Sequence, residues 1–186
     1  MKMTFAASLA FALAGSLPAS AGKVDALTEA WARVQTLVRP AVRRSGVVAV
    51  RGASGGGYPV SLVVGEAFVK GEANGGYPVD LSIERSGDAC LIAGTFNGGY
   101  RAEVTLEDGR AVGEAMGGTR VDLAVSETAV TGVVREGYGV KLDVSSRAVA
   151  GSAPAGYPVK LEIVGGALDA CRLTAALLPV IHLPFG

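Results

Sequence analysis

Apolar and polar residues alternate in short runs along most of this chain. Val60, Leu62 and Val64 form one run, and Val79, Leu81 and Ile83 the next. Ala102, Val104 and Leu106 follow, then Val121, Leu123 and Val125, then Val140, Leu142 and Val144, then Val159, Leu161 and Ile163. Asp80, Glu103, Asp122, Lys141, Asp143, Lys160 and Glu162 stand between them. A period of two with one polar face is the pattern of a half-buried strand. Most runs are followed by a smaller one with a central glycine, as in Val69-x-Gly71-x-Ala73, Val130-x-Gly132-x-Val134 and Val149-x-Gly151-x-Ala153. A glycine on the inward side of a strand marks a close approach of backbone or a bulky neighbour covering it.

The two runs together make a unit that opens at Gly57, Gly76, Gly99, Gly118, Gly137 and Gly156, at intervals of 19, 23, 19, 19 and 19 residues. A fixed short period means a repeat architecture, in which no unit buries its apolar face alone. Each unit is either one coil of a parallel solenoid or one hairpin of an antiparallel meander. The Val-x-Gly-x-Ala cadence resembles that of exported bacterial solenoid repeats, such as adhesin-head domains and bactofilins. That resemblance implies a parallel β-solenoid with an N-terminal capping helix. Curli subunits share the period, but their Gln and Asn ladders are absent here.

Four features favour hairpins. Asp108-Gly109, between Glu107 and Arg110, is a two-residue hairpin turn. It sets Leu106 opposite Ala111 and Val104 opposite Gly113, and the same register sets Leu62 opposite Gly71 and Leu123 opposite Gly132. The second unit has four extra residues, and a turn at Gly87-Asp88 still pairs Leu81 with Gly94 and Ile83 with Ile92. Two residues added to each arm preserve the facing of every side chain. Stacked coils would also align Asp80, Glu103 and Asp122, and Lys141 with Lys160, each pair costing a few tenths of a kcal/mol. Finally, the array begins and ends in half units. Val50 to Gly56 matches a second half, and Leu178 to Leu183 loosely echoes a first half. Pairing these leftovers would close the sheet and remove both edges. The expected fold is therefore all-β: six tandem ~19-residue hairpins in an antiparallel meander, closed into a ring of about fourteen strands. Val, Ala and Gly cannot fill so wide a ring, so it should flatten into a sandwich of two facing sheets about 10 Å apart.

The N-terminal region reads differently. Residues 1–21 carry Lys2, an apolar run from Phe5 to Leu17 and the small-residue site Ala19-Ser20-Ala21, the layout of a secretory signal peptide. Residues 22–45 hold an amphipathic helix with Val24, Leu27, Trp31, Val34 and Val38 on one face and Glu29, Arg33 and Gln35 on the other. It should cap or lie against the sheet, or else serve a membrane surface or a partner. Residues 46–186 are then the β-repeat domain.

Composition narrows the function more than it names one. Lys and Arg number 17, as do Asp and Glu, which excludes an electrostatic nucleic-acid footprint. Cys90 and Cys171 are the only cysteines. In an exported chain they read as a disulfide, the bland alternative being two small buried apolar residues. A zinc site lacks its further ligands. Cys171 falls on the outward parity of the sixth unit unless a bulge intervenes. His182, the sole histidine, sits in an apolar tail and reads as structural. No nucleophile, base and orienter converge, so no enzyme and no cofactor is expected. Tyr58, Tyr77, Tyr100, Tyr138 and Tyr157 recur at one level of the repeat. They read as a rim closing one end of the core, or as an aromatic girdle at a membrane, or as a row for carbohydrate or a protein partner. The expectation is an exported, non-enzymatic structural or binding element of the bacterial cell envelope, periplasmic or extracellular. A carrier of an apolar, lipid-like ligand and a small outer-membrane barrel are the alternatives.

Overall fold

A computed structural model describes residues 46–135 and 137–182. The export segment at 1–21 and the amphipathic helix at 22–45 lie outside the described residues. The alternating runs form twelve strands: β1 Val48–Ser54, β2 Tyr58–Val64, β3 Phe68–Ala73, β4 Tyr77–Ser86, β5 Ala89–Phe96, β6 Tyr100–Glu107, β7 Arg110–Ala115, β8 Thr119–Val125, β9 Ala129–Val134, β10 Tyr138–Val144, β11 Ala148–Ser152 and β12 Pro158–Val164. Among the described residues a 3-10 turn, Pro154–Gly156, precedes β12, and an α-helix, α1, spans Ala170–Ile181.

Each strand pairs antiparallel with the next, and β1 pairs with β12, so the sheet closes into a barrel. The parallel solenoid is overturned by this pairing. The expected register is observed: Leu62 faces Gly71, Leu81 faces Gly94, Ile83 faces Ile92, Val104 faces Gly113, Leu106 faces Ala111 and Leu123 faces Gly132. Closure is simpler than the expected one. The leading half unit, β1, pairs directly with the first half of the sixth unit, giving Val50 opposite Ile163 and Gly52 opposite Leu161. Twelve strands therefore suffice where about fourteen were expected. Leu178 to Leu183 does not supply a closing strand, because its described part belongs to α1 and the residue after it.

The helix sits inside the ring. Cys171, Leu173 and every residue from Thr174 to Ile181 are buried, while at the entrance Ala170 is exposed and Arg172 partly so. A helix apolar all round is stable only when surrounded, and a barrel of about eleven strands is already wide enough to hold one. Contacts along β5 fix its direction. Cys171 is bonded to Cys90 at the start of that strand, and His182 packs against Phe96 at its end, ring centroids 5.7 Å apart. With the helix as filling, the ring has no need to collapse into two facing sheets. The parity difficulty at Cys171 also disappears, since this residue is on the helix and not on a strand. The bridge joins residues 81 apart. A loop of that length stabilises the fold by about 4.5 kcal/mol in the chain-entropy account.

Charged residues hold the entrance. Asp169 caps α1 by accepting a hydrogen bond from the Arg172 backbone N–H at 3.0 Å, and it also receives Arg85 at 2.9 Å and the Arg172 side chain at 2.8 Å. Partial burial alone would raise the Asp169 carboxyl; these donors outweigh it and hold the group below its usual range. Arg172 reaches on to Glu66 and to the carbonyl oxygens of Gly46 and Ala167, tying the first turn to the strand ends.

One glycine in each second-arm strand sets the curvature. Gly52, Gly71, Gly94, Gly132 and Gly151 have φ between +140° and +151°, a region other residues avoid. A Cβ on Gly71 would lie 2.2 Å from the Ser61 carbonyl oxygen, and one on Gly113 would lie 2.1 Å from that of Glu103. Adjacent backbones press together at this level, as the inward glycine implies. Gly76 separates strain from overlap, since its φ is +99° but a Cβ there meets nothing within 4 Å. We expect Gly76→Ala to cost about 1–2 kcal/mol in urea unfolding of the oxidised protein. Gly71→Ala, which adds steric overlap to strain, should cost at least about 3 kcal/mol; equal losses at the two positions would refute the close-approach account.

Candidate functional site

The end of the barrel opposite the helix entrance gathers most of the residues singled out in the sequence. Its turns are built on left-handed residues, at equivalent places in Asn74 (φ +52°), Asn97 (+49°), Met116 (+47°) and Arg135 (+60°), and one residue later in the turn at Ala155 (+60°). Asparagine is the side chain that tolerates this conformation best after glycine. Asn74 and Asn97 use it to turn their carboxamides inward, and both are 2 % exposed. Ser54 Oγ donates to Asn74 Oδ1 at 2.8 Å, and Asn74 Nδ2 donates to Asn97 Oδ1 at 3.1 Å. The same Asn74 nitrogen reaches the Pro179 carbonyl oxygen at 2.6 Å and that of His182 at 3.2 Å. Asn97 Nδ2 donates to the His182 carbonyl oxygen and, weakly, to Met116 Sδ at 3.7 Å. Carbonyls at a helix C-terminus lack partners within the helix; here the barrel mouth supplies them.

Around this closed end stand the five tyrosines. Tyr58, Tyr77, Tyr100, Tyr138 and Tyr157 are 37–52 % exposed, so they form a rim without sealing the core. Tyr58 lies over Gly75 of the neighbouring turn, close enough that a methyl group there would sit 3.4 Å from its ring. Tyr77 lies over Gly98 in the same way, at 3.8 Å. Glycine at these turns thus seats the rings flat and leaves their other faces outward. Thr119 occupies the equivalent position in the fourth unit and interrupts the ring.

No protein-family model, curated protein or solved structure matches this chain.

His182 closes the helix end from inside. It is 5 % exposed, and burial, the largest influence, pushes its imidazole down to about 4; the nearby Arg135 charge pushes the same way, while the bond to Leu178 opposes them. Nδ1 lies 2.8 Å from the Leu178 carbonyl oxygen, so the neutral ring carries its proton there. Nε2 is buried and without a hydrogen-bond partner among the described residues. A cavity of about 40 Å³ adjoins this part of the mouth, lined by Met116, Thr119, Val134, Arg135, Pro154, Ile181 and His182. Among the described residues no group of three His, Cys, Asp or Glu side chains is arranged to hold a metal ion.

The repeat cadence located the tyrosines but gave Asn74, Asn97 and Met116 no role. The Asn-Gly-Gly triplets carried the missing signal, because a polar residue before two glycines both makes the turn and points its amide at the barrel axis. The Cys90–Cys171 pair is a disulfide and lies at the opposite end, with Arg85 and Asp169.

The buried imidazole gives stability a defined pH dependence. Its folded value of about 4 is below the ordinary 6.5, so folding favours the neutral form. The contribution is complete above pH 6.5 and is lost as pH falls towards 4, amounting to about 3 kcal/mol. Asp122, held low chiefly by the Arg110 hydrogen bond, and Asp169 add their own losses at lower pH. Urea midpoints measured between pH 7 and pH 4.5 should fall in the native chain and stay nearly level in His182→Gln; parallel curves would contradict the assignment.

Proposed function

We propose that this chain is an exported, non-enzymatic binding element of the cell envelope, and that the tyrosine rim is its contact surface. The observation that carries the reading is the rim itself. Five aromatic rings at one end of a closed barrel each leave about half their surface to solvent. Tyr58 and Tyr77, which lie over Gly75 and Gly98, offer flat apolar faces that lose little conformational freedom on binding. The disulfide fits an oxidising compartment and so supports export.

Two features weigh against the alternatives. Side chains of α1 occupy the space that a lipid-like cargo would need in the lumen. The outward face at mid-strand carries Lys70, Asp80, Glu103, Lys141, Lys160 and Glu162, all exposed, where a bilayer-spanning barrel carries an apolar band. Lys70 and Asp80 pair across β3 and β4 at 3.3 Å, and Arg110 grips Asp122 with two hydrogen bonds of 2.9 Å. Such exposed pairs add little stability, but they suit a surface facing water.

The test uses the secreted protein and three washed targets: purified cell-wall sacculi, lipid vesicles and whole envelope fragments. The native chain should sediment with envelope material. A Tyr58→Ser, Tyr77→Ser, Tyr100→Ser variant with an unchanged circular dichroism spectrum should bind at least ~10-fold more weakly. Undiminished binding by that variant, or no binding by the native chain, ends the reading. Sacculi and vesicles assign the partner class.

A further inference from the structure

Position 116 breaks the repeat in a manner the fold does not require. Its counterparts at the ends of the first and second units are Asn74 and Asn97, which tolerate the left-handed backbone and cap the helix. Met116 adopts the same conformation at φ +47° without either advantage. A methionine held there strains the backbone, and strain of this kind is often retained where a side chain has a task. Its sulfur takes only a weak hydrogen bond from Asn97 Nδ2, at 3.7 Å, and it shares a cavity with the one buried side-chain nitrogen that lacks a partner among the described residues, His182 Nε2. Its direction is fixed from behind, since Nδ1–H donates to the Leu178 carbonyl oxygen at 2.8 Å. A backbone carbonyl on the far ring nitrogen is the usual support of a metal-binding histidine. Met116 and His182 line the same cavity of about 40 Å³, room for one water molecule or one ion and too little for an organic ligand.

We infer that this cavity is a site for a soft monovalent cation, Cu(I) or its analogue Ag(I), bound by His182 Nε2 and Met116 Sδ. Thioether sulfur and neutral imidazole are the ligand types that prefer such ions over hard ones. The two side chains fall short of the four ligands zinc takes in structural sites. Arg135 lines the same cavity, and its positive charge reaches the ring. Repulsion from that guanidinium doubles for a divalent ion, which favours a single charge. Thr119 Oγ1, the other polar side-chain atom there, donates to the Met116 carbonyl oxygen at 3.4 Å and steadies the turn. The site does not depend on the tyrosine rim's binding role.

Because the chain has one histidine, its imidazole nitrogens report the site without ambiguity. The cysteines are bonded to each other, so no thiolate competes for the ion. Oxidised full-length protein would be titrated with silver nitrate in chloride-free buffer and followed by long-range proton–nitrogen correlation spectra and native mass spectrometry. The expected result is one Ag(I) per chain, with the Nε2 resonance moving strongly while Nδ1 keeps its proton. Met116→Leu and Met116→Asn should each weaken binding at least ~10-fold with the fold intact. The asparagine variant restores the residue that the first and second units carry at this place, so folding is expected even if leucine is not tolerated. A silver adduct that leaves the imidazole unshifted, unchanged affinity in the foldable variant, or no retained silver would each overturn the assignment.

Discussion

The fold rests on mutual burial of a barrel and its own C-terminal helix. Twelve strands turn Val, Leu, Ile and Ala inward, and those side chains cannot meet across a ring of that circumference. The helix is equally dependent, since a segment apolar on every face has no stable place in water. Ala175 and Ala176 let it fit, Leu173, Leu177 and Leu178 fill the remaining width, and both ends are secured. At the entrance the securing is covalent and ionic, through Cys90, Arg85 and Asp169. At the mouth it is neutral, through two carboxamides. The arrangement follows the helix dipole: an acidic cap belongs at the N-terminus, and N–H donors belong at the carbonyl end.

Antiparallel closure also explains how so many outward charges are tolerated. Lys70 stands opposite Asp80 and Arg51 opposite Glu162, so neighbouring arms alternate sign where a coil stack would have aligned like charges. Glu103 opposite Glu114 is an exception, worth a few tenths of a kcal/mol. The glycines set in each second arm give the other half of the explanation. Their missing side chains let adjacent backbones close up at one level and bend the sheet round on itself.

Repetition made the barrel readable, and the loss of repetition hid the helix. Period-two runs at Leu62, Leu81 and Leu123 were sufficient for strand assignment, and Asp108-Gly109 was sufficient for direction and register. After Ile163 the glycine of a second arm never arrives, yet Val180, Ile181 and Leu183 still resemble a strand. The better signal lay upstream. Asp169 is followed by Ala170, Leu173, Ala175, Ala176, Leu177 and Leu178, an N-cap before good helix formers and no β-branched run. Uniform apolarity around that segment would then have placed it in the lumen. At the mouth, the tyrosine level could be read from cadence, whereas carboxamides meeting helix carbonyls more than 80 residues away could not.

A ring of equivalent units imposes the same local demands at every copy, so departures from the common residue are informative. Tyrosine gives way to Thr119 and asparagine to Met116 within one turn, and the next turn carries Arg135. Packing does not ask for these changes, because Asn97 and Tyr100 satisfy the same backbone one unit earlier. All three altered residues border the cavity beside His182. The barrel is therefore close to six-fold in construction and one-sided in chemistry. Binding by the repeated rim and chemistry at the altered turns are separable properties, carried by different residues at one end of a rigid frame.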